Sequence, residues 1–85
     1  MKIKEILMDE DIQDHILRHE ITREEIDISL HHGFPKFIRI RGKICMAITH
    51  LNRYLTIIFE HEDQNAKIRT AYQSFEWQIR RYNKK

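Results

Sequence analysis

The chain has 85 residues, 41% of them hydrophobic and 33% charged, and a formal net charge of +2. Two glycines and one proline argue against a disordered chain and predict one compact domain over residues 1–85. No apolar stretch reaches the roughly 20 residues that span a bilayer, and the single cysteine, Cys45, cannot form an internal disulfide. We therefore expect a soluble cytoplasmic protein without membrane association, in which Cys45 is a buried apolar residue.

The charged residues are unevenly distributed along the chain. The segment from Asp9 to Asp27 has eight carboxylates against two arginines, whereas Lys36 to Arg53 has five cationic residues and no carboxylate. A net charge of +2 does not by itself indicate nucleic-acid binding, but this separation predicts a polarised surface. Two interpretations stay open, an anion-binding face or solvated faces of opposite sign.

The first third of the chain has the periodicity of two short helices. Asp9 or Asp11 is positioned to cap the first helix. Thr22, with Glu25 three residues later, predicts a capping box at the start of the second. Gly33 is positioned to end the second helix in a left-handed conformation, since the proline that follows disfavours continuation.

From Lys36 onward the apolar residues alternate with a period of two, which is typical of strands. Short polar turns divide this region into four predicted antiparallel strands, at residues 36–41, 44–49, 53–60 and 66–72. Arg39 and Arg41 are two residues apart on the first of these strands, so we expect their side chains to share one face.

A basic helix is predicted at the end of the chain. Ser74 is positioned to cap it, and Arg80 and Arg81 are expected to point partly outward. Trp77 and Tyr82 suit either core packing or stacking on nucleic-acid bases, and core packing is the simpler interpretation. The predicted fold is thus α+β, with two N-terminal helices, a four-stranded antiparallel sheet and a C-terminal helix.

Several segments resemble one family of small microbial toxins. "HEITREEIDISL" is similar to the His-Gly-Val-Ser-x-Glu-Glu-Val segment of BrnT-type toxins, and "NRYLTIIFEHED" to their Gly-Arg-Tyr-Leu-x-Val-Val-Phe strand. "IRTAYQSF" followed by "RRY" resembles the segment and the helix that close those proteins. The likeness extends from Asp14 to Tyr82 and is shared with a neighbouring group of uncharacterised small domains.

This resemblance implies a RelE-like fold and a ribonuclease toxin, neutralised by a DNA-binding antitoxin encoded beside it. The positions that match the toxin pattern are His19, Glu24, Glu25, Arg53, Tyr54 and Ala71. The positions that depart from it are Glu20 and Asn52 in place of glycine, and Tyr72 in place of the usual arginine. The Phe-Glu-Trp-Asp pattern that opens such toxins is missing from "MKIKEILMDED".

Cleavage of RNA through its own 2′-hydroxyl needs a base, cationic stabilisation of the phosphate and help for the leaving oxygen, and it needs no metal. The candidate catalytic residues are His19, His50 and Arg53, with Glu60 and Tyr72 as further candidates. The candidate RNA-binding residues are Arg39, Arg41, Arg69, Arg80 and Arg81. We expect the arginines at 39, 41 and 53 to converge on one phosphate site, with one of the histidines beside them.

The sequence argues against several other activities. His15 and His19 lie four apart on a predicted helix, but no third ligand accompanies them, so no metal is expected. No cofactor is expected either, because Gly-rich phosphate loops are missing. The alternatives to a ribonuclease are a non-catalytic module whose basic face binds an acidic partner, and a homodimer formed through an exposed edge strand.

Overall fold

A computed structural model describes residues 1–84 and has three helices and five strands. In chain order the elements are β1 (Glu5–Leu7), α1 (Glu10–Leu17), α2 (Arg23–His32), β2 (Lys36–Arg41), β3 (Ile44–His50), β4 (Tyr54–Glu62), β5 (Asn65–Gln73) and α3 (Glu76–Asn83). The predicted α+β class is confirmed. Within residues 1–84 no helix is long and apolar enough to cross a membrane.

The sheet has one strand more than the sequence predicted. Its order is β1-β5-β4-β3-β2, and β1 pairs in parallel with β5 while the other neighbours are antiparallel. The missed strand has only three residues, of which Ile6 alone is buried, opposite Ala66. Three residues are too few to show an alternation of apolar and polar side chains. The strand also depends on pairing with a segment about sixty residues away, which no local pattern indicates. The prediction of a purely antiparallel four-stranded sheet is therefore wrong in this detail.

The first two helices cover one face of the sheet. Asp9 caps α1 by accepting from the backbone N–H of Ile12 at 2.9 Å, and Thr22 caps α2 by accepting from that of Glu25 at 3.1 Å. The main core lies between these helices and the sheet. Its fully buried members include Ile16 from α1, Ile21 from the connection between the two helices, Ile26 from α2, and Ala47, Leu55, Ile57 and Phe59 from the strands.

The turn between α2 and β2 differs from the predicted helix stop. Gly33 has a φ of −90°, and Phe34 is the residue in the left-handed region, with a φ of 50°. Glycine is needed at 33 for space, because a Cβ there would lie 2.5 Å from the Ser29 carbonyl oxygen. A left-handed phenylalanine is strained by about 1–2 kcal/mol.

α3 packs on the opposite face of the sheet. Gln78 is only 1% exposed. Its side chain accepts a hydrogen bond from the Thr56 hydroxyl at 3.0 Å and donates one to the Tyr72 hydroxyl at 3.0 Å. The expected cap at Ser74 is wrong, because the N-cap is Phe75, whose N–H donates to the Gln78 side chain at 2.8 Å. Ser74 instead forms a 2.7 Å hydrogen bond with Thr56. A polar cluster therefore attaches the helix to the sheet.

Candidate nucleic-acid interface

Four cationic residues line one open depression at the C-terminal end of α3. They are Lys36 from the start of β2, and Arg80, Arg81 and Lys84 from the last turn of α3 and the residue after it. We call this depression the α3 groove. No carboxylate lines the groove, and none within residues 1–84 forms an ion pair with these four side chains. Such a concentration of unneutralised charge favours an anion, and RNA phosphates are one class of anion that fits it.

Lys36 connects the groove to the sheet. Its ammonium group donates to the carbonyl oxygens of Arg81 at 2.9 Å and Lys84 at 3.3 Å. Both carbonyls lie at the C-terminal end of α3, where the helix dipole favours a cation, and that of Arg81 also accepts the backbone N–H of Lys84 at 3.3 Å. Two of the three ammonium donors are thereby used, so one is left for a ligand. Neither Lys36 nor Lys84 was among the RNA-binding residues predicted from the sequence.

Aromatic side chains lie beside the groove, on the face of the sheet that α3 covers. The ring of His50 stacks on that of Tyr54, with 4.0 Å between centroids and 7° between planes. The Tyr54 hydroxyl accepts from the Asn83 side chain at 3.3 Å, and its ring contacts that of Tyr82 edge to face. Through Tyr54 the structure therefore connects His50, which is exposed, to the end of α3.

Tyr82 holds the α2–β2 turn against the last turn of α3. Its hydroxyl donates to the carbonyl oxygen of Phe34 at 2.8 Å and lies 3.4 Å from that of Gly33. Burial raises the pKa of the Tyr82 hydroxyl, which keeps it in the protonated form that can donate. Trp77, on the same helix, is 52% exposed, so the expectation that it packs in the core is wrong.

Arg39 and Arg41 do not share a face of the sheet. Arg39 pairs with Cys45 and Arg41 with the adjacent Ile44, because a β-bulge shifts the register between the two arginines. Adjacent residues of a strand point to opposite faces, so the two arginines do so as well. Arg41 is also five residues from Lys36 along β2, or roughly 17 Å at 3.4 Å per residue. Neither arginine therefore joins the α3 groove.

Arg53 is already paired. Its guanidinium makes two hydrogen bonds with the carboxylate of Glu25, at 2.9 and 2.7 Å, and donates to the carbonyl oxygen of Glu20 at 2.7 Å. The hydrogen bond with Glu25 raises the pKa of Arg53, so Arg53 keeps its positive charge. The carboxylate of Glu25 neutralises that charge within the fold. The expected convergence of arginines 39, 41 and 53 is not present. Arg53 instead connects the β3–β4 turn to the first turn of α2.

The remaining candidates lie in two other places. Arg69 pairs with Glu60 at 3.5 Å on the strands distant from the α3 groove. His19 lines a depression with Tyr72 and Phe75 at the start of α3, about 8–12 Å along the helix axis from the last turn. The structure therefore brings Arg80 and Arg81 together in the α3 groove and connects His50 to the end of α3 through Tyr54, and it leaves His19 and the strand arginines elsewhere.

Comparisons of the chain with models of known protein families, with curated proteins and with solved structures find no match. Within residues 1–84 no group of three or more His, Cys, Asp or Glu side chains is arranged to hold a metal ion.

Proposed function

We propose that this protein binds RNA through the α3 groove. The observation that carries the proposal is the set of four cations, Lys36, Arg80, Arg81 and Lys84, around a depression that no carboxylate lines. Phosphate groups spaced along a single chain match these four cations, and a guanidinium group can form two parallel hydrogen bonds with the oxygens of one phosphate. The resemblance to BrnT-type toxins is a second, independent support for RNA as the ligand.

The toxin resemblance extends the proposal to cleavage, within a toxin–antitoxin pair and a RelE-like fold. In that mechanism the His50 imidazole takes the proton of a 2′-hydroxyl, whose oxygen then attacks the adjacent phosphorus. The bond from phosphorus to the 5′-oxygen breaks, and this oxygen takes a proton from water. Guanidinium groups of Arg80 and Arg81 stabilise the charge that builds on the phosphate. No metal takes part, and a DNA-binding antitoxin is the expected partner of the toxin.

A non-catalytic binding module is the second candidate. The pairing of Arg53 with Glu25 favours it, because this arginine matches the toxin pattern and yet has its charge neutralised within the fold. A binding module needs the groove alone and no positioned base. A homodimer is a separate alternative and would use β2, the antiparallel edge of the sheet.

The salt dependence of RNA affinity tests the proposal. Four phosphates neutralised by a single-stranded ligand give a slope of log K against log salt of roughly −2.8, since each contributes about −0.7. Arg81→Ala should reduce the size of the slope by about 0.7, whereas Arg18→Ala, which removes an exposed cation of the chain outside the groove, should leave it unchanged. Binding that does not depend on salt, or equal effects of the two variants, would refute the α3 groove as the site.

Cleavage is tested separately from binding. If the protein is a nuclease, His50→Ala should lower RNA cleavage by about 10²- to 10⁴-fold with unchanged RNA affinity, and His19→Ala should leave both unchanged. Wild-type protein should also arrest growth when produced without an antitoxin. Tight RNA binding with neither cleavage nor growth arrest would leave the binding module as the function.

A further inference from the structure

Phe34 combines an exposed aromatic side chain with a strained backbone. Its side chain is 81% exposed, more than any other large hydrophobic side chain in residues 1–84. Its backbone is in the left-handed region, with a φ of 50°, where a bulky L residue is strained. A glycine would remove the strain, and a polar residue would remove the exposed apolar surface. Strain at an exposed aromatic residue is an outlier of the kind that accompanies a binding role.

Two hydrogen bonds hold the backbone around Phe34 next to the α3 groove. The Tyr82 hydroxyl donates to the Phe34 carbonyl oxygen at 2.8 Å, and the backbone N–H of His50 donates to the Gly33 carbonyl oxygen at 3.0 Å. Lys36 follows two residues later, so its Cα lies within about 7 Å of that of Phe34. The backbone that carries the ring is therefore held close to one of the four cations of the groove.

We propose that Phe34 is a stacking platform for a base of single-stranded RNA whose phosphates lie in the α3 groove. The inference rests on the proposed RNA binding and adds the form of the ligand. Proteins that bind single strands combine a cationic groove with exposed aromatic rings, because every unpaired base offers a flat face to stack on. In a duplex those faces are covered by neighbouring bases, so an exposed ring has nothing to contact.

Charge complementarity favours a nucleic acid over an apolar protein partner. Phe34 lies two residues before Lys36, and the Tyr82 hydroxyl holds the turn to the end of α3, where Arg80, Arg81 and Lys84 lie. An apolar partner segment would have to bury these cations, which is unfavourable without matching carboxylates. A polyanion with flat apolar faces satisfies the ring and the cations together.

The experiment measures the affinity of wild-type protein and variants for three probes. The probes are a single-stranded RNA oligonucleotide, a duplex RNA of the same length, and inorganic polyphosphate with the same number of phosphates. We expect Phe34→Ala to weaken single-strand binding by about 5- to 150-fold, the effect of losing one stacked base, while affinity for the duplex and for polyphosphate is unchanged. Phe34→Trp should restore single-strand binding. Leu17→Ala, which shortens an exposed apolar side chain of α1, is the matched control and should change nothing.

The outcomes separate this inference from the proposed function. Equal losses for all three probes would show that Phe34 only shapes the groove, and an unchanged single-strand affinity would show that the ring is not used. Either result overturns the stacking role and leaves RNA binding by the groove in place. Wild-type protein that binds neither RNA nor polyphosphate at low salt would overturn both.

Discussion

Replacing Arg53 distinguishes a structural role for this residue from a catalytic one. The side chains of Arg53 and Glu25 are 29% and 28% exposed and form a bidentate ion pair. Arg53 also donates a third hydrogen bond to the Glu20 carbonyl oxygen. Exposed ion pairs contribute about 0.2–1 kcal/mol, whereas breaking a buried pair costs about 3–5 kcal/mol. This pair lies between the two limits, so we expect Arg53→Ala to lower the free energy of unfolding by about 2–3 kcal/mol.

That loss is large for a domain of this size. A chain of 85 residues has a total stability of roughly 4–13 kcal/mol, and the expected change in Tm is about 10–20 °C. Urea unfolding followed by circular dichroism measures it. Arg39→Ala is the matched control, because Arg39 is exposed on the edge strand and should cost less than about 0.5 kcal/mol.

A double-mutant cycle isolates the pair itself. In a Glu25→Ala background, Arg53→Ala should cost less than about 1 kcal/mol, because only the hydrogen bond to the Glu20 carbonyl is then lost. The RNA affinity of folded Arg53→Ala should equal that of the wild type. An unchanged urea midpoint together with lost RNA binding or cleavage would refute the structural role and return Arg53 to the catalytic candidates.

Two further predictions concern single hydrogen-bonded side chains. His31 lies 2.9 Å from the Asp27 carbonyl and 3.1 Å from that of Ile3, and these bonds, the first above all, raise its pKa. Its stabilisation should therefore be full below the unfolded pKa of about 6.5 and be lost as pH rises through the higher folded pKa. The urea midpoint of the wild type should exceed that of His31→Gln most at low pH, and the two midpoints should converge as pH rises above about 6.5, with His32→Gln as the matched control. Gln78→Ala should lower the free energy of unfolding by about 2–4 kcal/mol and expose α3 to hydrogen exchange, because it leaves buried partners unsatisfied; a loss below about 1 kcal/mol would refute the polar attachment of the helix.

Much of the secondary structure was readable from the sequence because its causes are local. The Thr22 cap of α2 is set within three residues, and the bounds of β2 to β5 follow from alternation and turn residues within each segment. The α+β class follows from the same patterns. Arg80 and Arg81 were likewise selected as RNA-binding candidates from a local cluster of charge, and both line the α3 groove.

Other features were decided by residues far apart in the chain. β1 exists through pairing with β5, the Lys36 ammonium reaches carbonyls 45 and 48 residues away, and Arg53 reaches a carboxylate 28 residues away. The bulge in β2, which separates Arg39 from Arg41, adjusts one strand to its neighbour and leaves the alternation of the sequence intact. A periodic pattern records which side chains prefer burial, but not which charges meet across the fold. The sequence by itself therefore determined the three helices, the four longer strands and the supply of cations, and the tertiary structure alone decided which cations are neutralised and which remain available to a ligand.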